Sequence, residues 1–136
     1  MTAEIIYKGA LRTEAKHVQS DTIIHTDAPT DNQGMGANFS PTDLVATALG
    51  SCMLTIMGIK ARDMQVDIAE TVVEIEKIMV TDPRRIGGIN VNFNFPKSLT
   101  LDTKTTIILE NAAHTCPVIK SIHPDIAVKV TFNWHQ

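Results

Sequence analysis

The sequence predicts an α+β fold in which a curved antiparallel sheet is segregated from two main helices. Residues 89–95, INVNFNF, alternate strictly, with Ile89, Val91, Phe93 and Phe95 on one face. Residues 126–134, IAVKVTFNW, repeat the pattern through Ile126, Val128, Val130, Phe132 and Trp134. A period of two marks half-buried strands. The third observation is SPTDLVATALGSCMLTIMGI, residues 40–59, a long and almost uncharged stretch that opens with a helix-start signal.

The elements follow in order. Short strands are expected at AEIIY, LRTEAKH and TIIHT, with a turn at VQSD, and the Pro, Asp, Asn and Gly content of residues 29–39 reads as loop. Ser40 is then a good N-cap, Pro41 fits the first helical position, and Asp43 sits three residues after the cap, beside the positive end of the helix dipole. The helix is expected to run to about Asp63. It is apolar on nearly every side from Leu44 to Ile59, so it needs cover all round. Gly50 and Gly58 cost helix propensity and suggest close neighbours. Residues 66–80 fit both periods, but their β-branched content favours a strand with a bulge. DPRRIGG reads as a turn. Asp102 caps a second helix whose apolar stripe through Leu109, Ala112 and Ala113 leads to Cys116. Pro117 disfavours helix at Cys116 itself, so a break and a short turn, PVIKS, are expected there.

The chain has 136 residues, 43% hydrophobic and 20% charged, which suits one globular domain over residues 1–136. A net charge of −3 and 4% aromatic residues leave little for a phosphate backbone or base stacking, so nucleic acid is not an expected partner. The first residues lack the basic-then-apolar build of a secretory signal. The 16 apolar positions from Leu44 to Ile59 span about 24 Å as helix, short of a bilayer core of about 30 Å. No membrane association is expected, and the cytoplasm is the expected location.

Two cysteines with no C-x-x-C spacing make neither a disulfide framework nor a four-cysteine zinc site. They are either inert packing or a separated redox pair. Cys116-Pro117 places a thiol at the start of a short helix, where unpaired N–H groups stabilise a thiolate. A thiolate attacks peroxides, and a second cysteine in reach can trap the sulfenic acid as a disulfide. His114, Cys116 and His123 offer too few ligands for zinc, and no cofactor is expected. Met53, Met57 and Met64 read as core filling.

FSPTDLVATALGSCMLTIMGI followed by LENAAHTCPVIKSIHPDI resembles the OsmC/Ohr family, the osmotically inducible and organic hydroperoxide resistance proteins. The likeness extends over essentially the whole chain. Pro-x-[Asp/Glu]-Leu, Gly-Ser-Cys on the first helix and Ala-His-x-Cys-Pro on the second occur in the family's order. The resemblance implies an OsmC-like fold, with curved sheets wrapping two central helices in an intertwined homodimer. It further implies a cysteine peroxidase that reduces organic hydroperoxides in oxidative-stress defence. Cys52 would be the peroxidatic thiol and Cys116 the resolving one. An external dithiol, in some family members a lipoylated protein, would restore both.

The family also supplies an arginine and a carboxylate near the peroxidatic sulfur. Arg12 is the candidate cation and Asp43 the candidate acid. The hydroperoxidase branch commonly carries Glu immediately after the proline, where this chain has Thr42. A shift of one residue turns a helical side chain by about 100°, which fits Asp43 to a capping role. The chain therefore resembles the generic OsmC-like branch more than the dedicated hydroperoxidases. The alternative reading is a dimer that binds a small apolar ligand or senses oxidation without useful turnover.

Overall fold

A computed structural model describes residues 1–135. The chain divides into two compact units, residues 1–45 and the remainder from Ala46.

The first unit is a meander of β1 (Ala3–Gly9), β2 (Arg12–His17) and β3 (Ile23–Asp27), antiparallel throughout and ordered β1-β2-β3. Register places Ile5, Ala15 and Ile24 in one row and Tyr7, Thr13 and Thr26 in the next. Cross-strand partners share a face, so Ile5, Tyr7 and Ile24 form an apolar surface, and they are 69%, 65% and 46% exposed. The loop that follows contains one 3-10 turn, Thr30–Asn32.

The helix α1 (Pro41–Asp63) begins where the cap signal puts it. The Asp43 N–H donates to Ser40 Oγ, and the Ser40 N–H donates to Asp43 Oδ2. This reciprocal pair satisfies two of the helix's orphan donors. Its 23 residues revise the length argument drawn from the 16-residue apolar run. By length and composition alone α1 is long and apolar enough to cross a membrane. Within the second unit, however, Ala46, Leu49, Met53, Met57 and Ala61 are buried in one core with Ile89, Val91, Phe93, Leu109, Ala113 and Cys116. The expected all-round cover is incomplete among the described residues: Val45 and Ile59 remain 40% and 54% exposed.

The second sheet runs β4 (Val72–Val80), β5 (Arg85–Asn94) and β6 (Ala127–Asn133), in the order β4-β5-β6. The ambiguous residues resolve as a strand from Val72, with a register shift between Ile78 and Met79. The β5 strand also takes in Arg85, Ile86, Gly87 and Gly88, which the sequence suggested as turn. Gly87 is the residue left unpaired at that register shift, and a Cβ there would collide with the Val80 side chain. Ile89, Val91, Phe93 and Phe95 are all buried on the core side, as their alternation requires.

One ladder departs from the antiparallel expectation. The β6 strand runs parallel to β5, from Gly88 opposite Ala127 to Asn94 opposite Asn133. Two helices, α2 (Thr103–Ala113) and α3 (Pro117–Ser121), occupy the crossover between them. A strand that returns through helices on one face arrives in the same direction. Phe132 stacks on Phe93 and Trp134 on Phe95, at centroid distances of 4.9 and 3.6 Å. The Trp134 indole N–H donates to Glu110 Oε1 of α2 at 2.9 Å.

Candidate active site

Both cysteines lie in the second unit, and both are free thiols. Cys52 lies at mid-helix on α1, half-buried between positions sealed in the core and positions open to solvent. Cys116 occupies the joint between α2 and α3. The second helix starts at Asp102, whose carboxylate accepts the Thr105 N–H, and it ends at His114. Pro117 then forbids continuation and opens α3 as its first residue, leaving Cys116 extended (φ −62°, ψ 142°) as the cap. The geometry is that expected from Cys-Pro.

The fold brings the two thiols together. The Cys52 side chain lies within hydrogen-bonding reach of Cys116. Their chemical settings differ. Cys116 is wholly buried, and burial pushes its thiol pKa upward. The Ile119 N–H, 3.3 Å from Cys116 Sγ, opposes that rise, and Cys52 reinforces it. A proton on Cys116 is thus favoured while the protein is at rest. Cys52 keeps partial access to solvent. The pair can support thiol–disulfide chemistry with an exposed and a sheltered partner.

The other two residues singled out in the sequence lie in the first unit, each with a partner there. Arg12 opens β2 directly opposite Asp27 at the end of β3. Its Nη2 donates to Asp27 Oδ2 at 3.5 Å, and 44% of its side chain stays exposed. Asp43 is engaged in the Ser40 cap described above.

Asp27 is the residue that sequence inspection missed. It is fully buried. The Ala37 N–H, foremost, and the Arg12 guanidinium hold its carboxyl below the usual value, against the opposing effect of burial. Its own N–H donates to the Phe39 carbonyl, so this one residue ties Arg12 and two points of the 28–39 loop together. The available signal was the hairpin register, which sets the last residue of TIIHTD against the first of β2. His114 caps α2 and meets Phe132 edge-on at 6.1 Å. The His123 Nδ1 accepts the Asp125 N–H within its turn.

Residues 33–131 match a family model described as OsmC-like protein. No curated protein matches the chain. Among solved structures, a Psychrobacter arcticus protein named for osmotic stress induction and detoxification response is 56% identical, with a TM-score of 0.93. That match covers 98% of this chain and 96% of the other. The organic hydroperoxide resistance protein OsmC of Legionella pneumophila is 16% identical, with a TM-score of 0.76 and 98% of each chain covered. The organic hydroperoxide resistance protein OhrB of Bacillus subtilis is 20% identical, with a TM-score of 0.67 and the same 98% of each. These last two likenesses concern the fold.

Proposed function

The chain belongs to the OsmC/Ohr family of OsmC-like proteins, and from that premise we propose that it is a thiol-dependent peroxidase for organic hydroperoxides. The observation that carries this reading is the contact between a half-open Cys52 and a sealed Cys116 in the reduced state. In the proposed cycle the Cys52 thiolate attacks the terminal oxygen of ROOH. The O–O bond breaks, ROH leaves with a proton, and Cys52 becomes a sulfenic acid. Cys116 attacks that sulfur, water leaves, and a disulfide forms. A dithiol then returns two electrons and two protons; a lipoylated protein is one candidate by family resemblance.

Arg12 and Asp43 enter this reading through the family's pattern. For Arg12 the support is a side chain that stays 44% exposed while its Nη2 lies 3.5 Å from Asp27 Oδ2. For Asp43 the Ser40 hydrogen bonds favour a capping role. We take both units as parts of one OsmC-like domain over residues 1–136, in a homodimer. The exposed apolar residues Ile5, Tyr7 and Ile24 in the first unit, and separately Ile59 on α1 in the second, support a second copy as cover. The proposed compartment is the cytoplasm, where thiols stay reduced.

The test is stopped-flow consumption of an organic hydroperoxide with a dithiol reductant, comparing wild type with Cys52→Ser. Wild type is expected to turn over and the variant to fall to background. Equal, slow rates would reject the peroxidase. They would favour the second reading, a redox-sensing or ligand-binding dimer, to which the commitment of Asp43 to its cap already points.

A further inference from the structure

The sheltered sulfur raises a question that the two-thiol cycle leaves open. A disulfide between Cys52 and Cys116 has two sulfurs, and an external thiol must choose one. Thiol–disulfide exchange depends on access to the attacked sulfur and on how well the departing one carries negative charge. Building on the reading above, we propose that the reductant enters at Cys52 and that Cys116 is the leaving sulfur, received by the N–H of Ile119.

Access supports the first half. Cys116 has no exposed surface, whereas Cys52 is only partly covered. Ala113, immediately before the joint, is sealed as well, and Val118 and Ile119 pack against the same core. Cys116 therefore presents no surface to a nucleophile in the reduced state.

The second half rests on the donor. The Ile119 N–H already points at Cys116 Sγ, 3.3 Å away, and the Val118 N–H acts on the thiol in the same sense. A sulfur leaving as thiolate into a buried position needs donors in place before its charge appears. A reductant thiolate bonds to Cys52 Sγ, the S–S bond breaks, and Cys116 departs with the electron pair against the Ile119 N–H. Cys116 then takes a proton. The reductant's second thiol attacks the mixed disulfide and displaces the Cys52 thiolate, leaving the reductant oxidised to its own disulfide. Ile119 acts here as a positioning residue, through its backbone alone.

The experiment starts from wild-type protein oxidised with diamide, so that disulfide formation does not depend on peroxidase activity. Excess glutathione is added, samples are acid-quenched at successive times, and free and mixed disulfides are mapped by peptide mass spectrometry. The earliest adduct is expected to carry glutathione on Cys52 and a free thiol on Cys116. Glutathione appearing first on Cys116 would overturn the proposal. Reduction of Ile119→Pro, which lacks the N–H, is then compared with Ile119→Ala, which keeps it. The proline variant should be slower by about tenfold or more, the scale of one hydrogen bond to a charged group, and equal rates would remove the role given to Ile119. If diamide forms the disulfide and a hydroperoxide does not, the peroxidase reading fails, while the mapping still decides the entry point. If diamide forms no disulfide, both fall.

Discussion

A Cβ on Gly50 would stand 2.5 Å from Cδ1 of Ile75 and 3.3 Å from Cγ1 of Val73. Glycine is what lets α1 lie this close to β4. Gly58, on the same helix, has nothing within 4 Å of the equivalent point among the described residues. The sequence alone treated the two glycines alike. Alanine within a helix is favoured over glycine by about 1 kcal/mol, but at Gly50 overpacking costs about 1–3 kcal/mol. Gly58→Ala should therefore be neutral or stabilising by up to about 1 kcal/mol, and Gly50→Ala destabilising by a similar amount. Urea unfolding midpoints decide it, and a Gly50→Ala protein as stable as wild type would refute the close approach.

The unequal settings of the thiols predict different arrests. After one equivalent of organic hydroperoxide, Cys116→Ser should hold a sulfenic acid on Cys52 that dimedone labels. Cys52→Ser should give no label at position 116, because its thiol is sealed. Labelling confined to Cys116 in any variant would reverse the assigned roles.

Acid should strike the first unit through Asp27. Its carboxyl is held below the ordinary 3.8 by the Ala37 N–H and Arg12. A depressed carboxyl contributes stability that is full above the unfolded value and is lost as pH falls through the folded one. Asp27→Asn should be less stable at neutral pH and should lose less than wild type below about pH 4. The measurement is the urea midpoint as a function of pH; parallel profiles for the two proteins would exclude Asp27 as the acid-sensitive group.

Alkali should act on the second unit through Cys116. Burial raises its thiol pKa above the ordinary 9.0. The unfolded chain then loses its proton first, so the contribution is full below that value and declines as pH rises toward the folded one. Under reducing conditions Cys116→Ala should flatten the alkaline fall in stability that wild type shows. An identical fall in both proteins would place its origin elsewhere.

Much of the fold was legible because the signals were local. Ser40, Pro41 and Asp43 wrote the start of α1, Asp102 that of α2, and Pro117 the break that makes Cys116 a cap. Alternation gave the core faces of β5 and β6. Strand direction was not legible, since the period of two is the same for parallel and antiparallel ladders. Gly87 and Gly88 looked like a turn because the atoms a Cβ would crowd, the Val80 side chain at Gly87 and the Ala127 carbonyl at Gly88, are not local. The site divided in the same way. The types of the two cysteines and the motifs around them suggested thiol chemistry, but their contact depends on tertiary packing. Asp27 escaped notice because a carboxylate at a strand end ordinarily reads as solvated, and only register sets it against Arg12.

The parallel seam between β5 and β6 has a consequence for synthesis. Asn133 bonds Asn92 and Asn94 across 41 and 39 positions of sequence, so the central strand keeps one edge unpaired until β6 has left the ribosome. Such distant pairings form slowly, because the intervening loop must close before they contribute. Cys52 emerges long before the crossover that seals Cys116, and a nascent chain in an oxidising setting holds its first thiol unchaperoned by the second throughout that interval.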